Sequence, residues 1–160
     1  MARAPGRLVE GGLGTPLGPF FYALSERGLA RCGFAPPPAR SGRDAAARAL
    51  EAQVRAYFAG ELRAFDVPLD ESGLTAFQRE VYALTRAIPH GETRAYGDLA
   101  VALASGARAV GRAMAAVPTP LVVPAHRVVR MDGSLGGFQG REAMKAWLID
   151  FEARVGGTRR

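Results

Sequence analysis

Between residues 75 and 116 the chain is cut into three helical lengths by residues that start and stop helices, and this stretch limits the possible folds more than any other. Thr75-Ala76-Phe77-Gln78 carries a capping-box pattern, in which the first and last side chains each accept a hydrogen bond from the other's backbone N–H. Phe77, Val81, Leu84 and Ile88 follow at helical spacing, and Pro89-His90-Gly91 ends the run. A second helix is expected over about Tyr96 to Ala104, broken by Ser105-Gly106. A third covers about Ala107 to Ala116 and stops before Pro118 and Pro120. Two short helices joined by a tight Ser-Gly turn make the helix-turn-helix pattern. A last helix, about Arg141 to Val155, places Met144, Trp147, Leu148, Phe151 and Val155 on one face.

The region upstream reads differently. Phe20-Phe21-Tyr22-Ala23-Leu24 and Leu29-Ala30-Arg31-Cys32-Gly33-Phe34 flank Ser25-Glu26-Arg27-Gly28, the pattern of a β-hairpin with glycine in its turn. After the loop Pro36–Gly42, Asp44 is placed to cap a helix with apolar positions Ala47, Leu50, Val54, Tyr57 and Phe58, ending near Gly60. Phe65 to Gly73, with Pro68 and several polar residues, reads as a linker. The expected organisation is a small α/β (α+β) amino-terminal domain with linker, 1–72, followed by a mainly α domain, 73–160. Cys32 lies within a strand pattern and reads as a buried core thiol.

Composition narrows the function. With 48% hydrophobic and 22% charged residues the chain is neither disordered nor membranous, and its amino terminus lacks the apolar stretch of a secretory signal, so a cytoplasmic protein is expected. One cysteine and two histidines, His90 and His126, leave too few soft ligands for a structural zinc site, and no cofactor is implied. The net charge of +6 and pI of about 10.4 suggest a polyanionic partner. Residues 1–72 carry 9 basic and 8 acidic side chains, whereas residues 73–160 carry 12 and 7, so the second half is the place for nucleic acid. Within the third helix, Arg108 and Arg112 are four apart and share a face, while most neighbours are alanine or glycine. Small residues let a helix approach a groove closely; equally, they suit tight packing inside a core. The helix-turn-helix context favours DNA.

Val123-Pro124-Ala125-His126-Arg127-Val128-Val129 resembles the active-site motif of the O6-alkylguanine-DNA alkyltransferases, Pro-Cys-His-Arg-Val, with alanine in the cysteine position. Phe77–Tyr82, Ile88–Thr93, Tyr96–Ala100, Ala109-Val110-Gly111, Asp132–Leu135 and Lys145–Leu148 also match family segments, in family order across about residues 74–152. The resemblance implies an α/β amino-terminal domain and a winged-helix-like, helix-turn-helix DNA-binding domain. It further implies a recognition helix in the minor groove, with Ala107, Gly111 and Arg112 at the DNA. Arg108 takes the place of the flipped-out nucleotide and Tyr96 helps to extrude it. The pocket for the damaged base would be walled by Ala125, Met114, Val117, Pro120, Val128, Phe138, Gln139 and Gly140.

Active members transfer the alkyl group to their cysteine thiolate, generated by a histidine that a glutamate orients. Alanine has no heteroatom to accept it, so no catalytic residue is expected, although His126 is retained. Two further departures are expected from the resemblance: Ala146 in place of the orienting glutamate, and Val117 in place of an asparagine. Their joint loss points to a natural alkyltransferase-like protein rather than a methyltransferase whose cysteine was replaced. The implied function is a non-enzymatic, monomeric sensor that binds O6-alkylguanine in double-stranded DNA and marks it for nucleotide excision repair, with a damage-recognition protein as partner. The alternatives are residual repair chemistry, through Cys32 or a water at His126, and a helix-turn-helix regulator of transcription.

Overall fold

The first strand of the protein is one that alternation does not reveal. In the computed structural model, which describes residues 6–38, 41–138 and 140–156, β1 (Val9–Thr15) has the sequence VEGGLGT. It pairs antiparallel with β2 (Gly18–Ser25), which pairs antiparallel with β3 (Gly28–Gly33), giving a three-stranded meander. Glycine at position 11 makes room for a neighbour. Gly11 is in register with Tyr22, and a Cβ there would stand 2.5 Å from the Tyr22 hydroxyl, so only glycine lets that ring lie buried in the sheet. The expected hairpin is β2–β3.

Helix α1 (Ala45–Phe58) starts as expected at Asp44, whose side chain accepts from the Ala47 N–H at 2.8 Å. It buries Ala47, Leu50, Glu51, Val54 and Tyr57. Phe20, Phe34 and Phe58 form an edge-to-face chain with centroids 5.2 and 6.4 Å apart. The stretch expected as a linker is partly built in. Leu29 donates to the Pro68 carbonyl at 2.8 Å and accepts from the Asp70 N–H at 2.9 Å, so residues 68–70 run along β3, and Val67 is buried. Pro68 contributes only its carbonyl, which is why a proline is tolerated at this edge. Gly28, at φ +132°, sits so close to the Pro68 carbonyl that no side chain fits. Cys32 is buried, and burial pushes its thiol well above the ordinary range, which leaves it protonated and unreactive.

The chain separates into two compact units, Met1–Gly73 and Leu74–Arg160. The second holds α2 (Ala76–Arg86), β4 (Arg94–Ala95), α3 (Tyr96–Ala102), α4 (Ala107–Ala115), a single 3₁₀ turn (Ala125–Arg127), β5 (Val128–Val129) and α5 (Glu142–Gly156). The fold class is thus the expected one, an α/β unit followed by a mainly helical unit. Both halves of the capping box at α2 are present, at 3.1 and 3.0 Å. β4 and β5 pair in parallel, Arg94 with Val128 and Ala95 with Val129, which fixes the motif segment beside the start of α3. Among the described residues, no helix is long and apolar enough to cross a membrane.

Two details depart from the sequence reading. The break between α3 and α4 is made by Ala104, at φ +50°, and not by Gly106, which is extended at φ −97° as the N-cap of α4. The Ser105 N–H closes the end of α3 on the Ala100 carbonyl at 2.8 Å, and this bond holds Ala104 in the left-handed region at a cost of about 1 kcal/mol or more. On α5 the buried stripe is Lys145, Leu148 and Glu152, while Met144, Trp147, Phe151 and Val155 are only half-buried.

Candidate nucleic-acid interface

Helix α4 turns Val110, Ala113 and Met114 inward. Tyr82 on α2 secures it by donating to the Ala113 carbonyl at 2.6 Å. That leaves Ala107, Arg108, Arg112 and Ala115 exposed, with Gly111 half-exposed between them. A Cβ built on Gly111 would meet nothing within 4 Å. The glycine is therefore not required by packing inside this protein, which answers the question its sequence left open: the small-residue face of α4 looks outward. No acidic residue lies in its first turn, and Gly106 caps it without a side chain, so its terminal N–H groups and the two arginines present an electropositive surface together.

Behind this helix runs a buried segment, Val117 to Val128, in which only Pro118 is not fully buried. Leu121 adopts φ +77°, strained for a branched residue by about 1–3 kcal/mol. The strain is held by the Val123 N–H bonding the Thr119 carbonyl at 2.9 Å. The chain then enters the 3₁₀ turn with Ala125 5% exposed and His126 completely buried. Of the expected pocket residues, Ala125, Met114, Val117, Pro120, Val128 and Phe138 are all buried. Gly140 is exposed, and Gln139 lies outside the described residues. Tyr96, at the first position of α3, is half-buried against the 131–138 loop. A Cβ on Gly136 would come within 2.9 Å of the tyrosine ring, so glycine is needed there.

The principal correction concerns the carboxylate. The orienting glutamate was expected to be lost at position 146, but Glu152, one and a half turns further along α5, reaches the histidine. His126 Nε2 and Glu152 Oε2 are 2.7 Å apart. Arg127 forks onto the same carboxylate, Nε to Oε1 at 2.8 Å and Nη2 to Oε2 at 3.0 Å, and sends Nη1 to the Ile88 carbonyl at 2.7 Å. The Gly91 N–H adds a bond to Oε1 at 3.2 Å. Burial alone would push Glu152 up, but the hydrogen bonds from His126 and Arg127 overcome it and hold the carboxyl far below the usual range.

Burial drives His126 the other way, below 6.5. The bond to Glu152 opposes that shift, and Arg127 and Lys145 add to it. The imidazole is therefore neutral at pH 7. Because Glu152 is ionised and can only accept, Nε2 carries the proton, and Nδ1 is left with its lone pair and no partner among the described residues. The arrangement is a carboxylate–imidazole pair, set up to accept a proton, beside an alanine that has none to give. A second buried cation, Lys145, donates to the Val128 carbonyl at 2.7 Å. Sequence reasoning quoted Arg127 and Lys145 only as parts of matching segments and passed over Glu152, because the spacing of these residues holds no record of the partners they meet.

Comparison with known proteins agrees with this geometry. The family described as 6-O-methylguanine DNA methyltransferase, DNA binding domain, matches residues 76–154. A protein of Thermus thermophilus named DNA base-flipping protein is 45% identical over 145 residues, covering 89% of this chain and 99% of its own. A methylated-DNA–protein-cysteine methyltransferase of Methanosarcina acetivorans is 36% identical over 147 residues, covering 86% and 94%. The crystal structure of Mycobacterium tuberculosis OGT in complex with DNA superposes with a TM-score of 0.80 at 34% identity, covering 91% of this chain and 93% of that one.

Proposed function

This chain belongs to the 6-O-methylguanine DNA methyltransferase family, and from that premise we propose that it recognises O6-alkylguanine in double-stranded DNA, flips it out, and holds it without taking up the alkyl group. The observation that carries the reading is Ala125. It stands where the motif requires a sulfur, 5% exposed, beside a His126–Glu152 pair that is otherwise complete. A methyl side chain cannot form the thioether that alkyl transfer needs. The name of the Thermus relative supports base flipping, and the DNA complex of the mycobacterial neighbour supports DNA as partner.

In this reading α3 and α4 act as a helix-turn-helix, with α4 against the minor groove. Ala107 and Gly111 allow close approach, Arg112 pairs with phosphate, and Arg108 fills the space that the base leaves. Tyr96 assists extrusion. Met114, Val117, Pro120, Val128 and Phe138 wall an apolar pocket. With a methyl in place of the thiol and Val117 in place of an amide, its floor accepts adducts larger than methyl. The protein acts as a monomer in the cytoplasm and leaves excision to a nucleotide-excision-repair damage-recognition partner. Binding titrations with one duplex carrying O6-methylguanine, one carrying O6-benzylguanine and one unmodified test this. Both lesions should bind more tightly than the unmodified duplex. Equal affinity for all three would refute lesion recognition, and a steep loss with adduct size would refute the roomy floor.

Glu152 favours keeping one second reading in play. Because His126 retains its carboxylate and an acceptor nitrogen, water at Nδ1 has a base to activate it. Incubation with O6-methylguanine DNA, followed by assay for restored guanine, separates the two: a sensor leaves the lesion intact.

A further inference from the structure

The three-stranded sheet of the first unit has two edges, and they differ. Along β3 the segment Pro68 to Asp70 bonds both backbone groups of Leu29 and closes that side. Along β1 only the start is closed: the Ser41 N–H donates to the Glu10 carbonyl at 3.1 Å, and the Ser41 hydroxyl accepts from the Glu10 N–H at 2.8 Å. Glu10 therefore turns both its groups away from β2. Strand alternation repeats that orientation at Gly12 and Gly14, and neither bonds outward to another described residue. Opposite Gly14 stands Pro19, which has no N–H, as a pair of this kind allows. Gly14 is exposed, and a Cβ there would meet nothing within 4 Å. Such an edge is a template for another strand unless charge, proline or cover blocks it.

We propose that the outer edge of β1 takes up an extended segment of a partner protein in which acidic and apolar residues alternate. Two cavities meet at Gly12 to Gly14 and set this chemistry. One, of about 240 Å³, is lined by Leu13, Arg43, Glu51 and Arg55, on the side of the sheet that carries α1. The other, of about 400 Å³, is lined by Gly18, Pro19 and Pro37. They flank the edge on opposite faces. Phe20, in register with Leu13, packs through Phe34 to Phe58 of α1, whereas Pro37 stands 3.2 Å from a Cβ built on Gly12, which points the other way. A strand laid beside β1 sends successive side chains to opposite faces, so one set enters the arginine-lined cavity and the other the proline-lined one.

Charge selects the acidic partner. Glu51 is 4% exposed and accepts from Nε and Nη2 of Arg43 at 2.8 and 2.7 Å, which fixes that guanidinium at the cavity wall. Arg43 still has donors to offer, since its side chain is 51% exposed and a guanidinium carries five N–H groups. Arg55, one turn beyond Glu51 on the same face of α1, is exposed and pairs with no acidic group among the described residues. Two cations against one carboxylate leave the cavity with positive charge in excess, and a carboxylate on the added strand answers it.

The test uses the full chain labelled with ¹⁵N, without DNA, titrated with a short capped peptide of alternating glutamate and valine. The amide signals of Gly12 and Gly14 should shift and saturate by about 1 mM. A peptide of alternating lysine and valine should bind about tenfold more weakly or worse, and so should the glutamate peptide to Arg55→Glu. Gly14→Pro should abolish the shift at Gly12 and keep the fold, because the N–H it removes lies outside the β1–β2 ladder. No shift at about 1 mM, or equal binding of the two peptides, overturns the proposal. Undiminished binding to a folded Gly14→Pro protein overturns it as well. Binding to Arg55→Glu as tight as to the parent does the same, whether or not Gly14→Pro folds. If single-stranded oligothymidylate moves these amides and the glutamate peptide does not, the edge takes nucleic acid and the proposal falls.

Discussion

Glu152→Gln removes one charge from a site where three partners converge. The carboxylate accepts two bonds from Arg127, one from His126 and one from the Gly91 N–H, and the residue is 1% exposed. Glutamine matches it in volume but keeps only one acceptor oxygen and turns an NH₂ toward the arginine's donors. Arg127, 6% exposed, cannot shed its proton to adjust. Breaking a buried pair on one side costs about 3–5 kcal/mol, against about 1 kcal/mol or less for an exposed pair. The chain's one tryptophan, Trp147, sits on α5 close to the change, so its fluorescence in urea reports the loss. With a slope of about 1.5 kcal/mol/M, the midpoint should fall by about 2–3 M. The double variant Arg127→Met, Glu152→Leu should recover most of the loss, since it leaves no buried charge without a partner. A cost below about 1 kcal/mol for Glu152→Gln, or no recovery in the double variant, would refute the account of this network.

Four further outcomes follow from the same geometry. Acid should weaken the fold in two steps with the same sign. His126 is depressed below 6.5, so the unfolded chain takes up its proton first and stability falls as pH drops through that value. Glu152 is depressed below 4.5, so its contribution is complete above that pH and is lost below it; urea midpoints against pH check both. Gly111→Ala should raise stability by about 0.5–1 kcal/mol, because its Cβ meets nothing, yet weaken binding to lesion DNA; unchanged binding would count against α4 as the contact helix. Arg108→Ala should weaken binding to the lesion duplex at least tenfold while leaving thermal stability within about 0.5 kcal/mol, since the side chain is exposed. Ala125→Cys should take up one methyl from O6-methylguanine DNA, seen by mass spectrometry, because His126 and Glu152 are already paired.

What the sequence determined was what neighbours in the chain decide. The Asp44 cap, the Thr75–Gln78 box and the stop at Pro89-His90-Gly91 depend on atoms within a turn of one another, and the structure places the helices where those signals put them. The segment Pro124-Ala125-His126-Arg127-Val128 was legible through resemblance, and so was the family. The tertiary structure alone decided which charges lie inside. Glu152 is 26 residues from His126, and Lys145 is 17 from Val128 and 49 from Tyr96. Burying a charge is favourable only when distant partners meet it, and helical periodicity carries no record of them. The same holds for β1, whose Gly11 makes room for the ring of Tyr22 on the next strand. Local propensity set where the helices start and stop, and packing between distant segments set the polar chemistry at their centre.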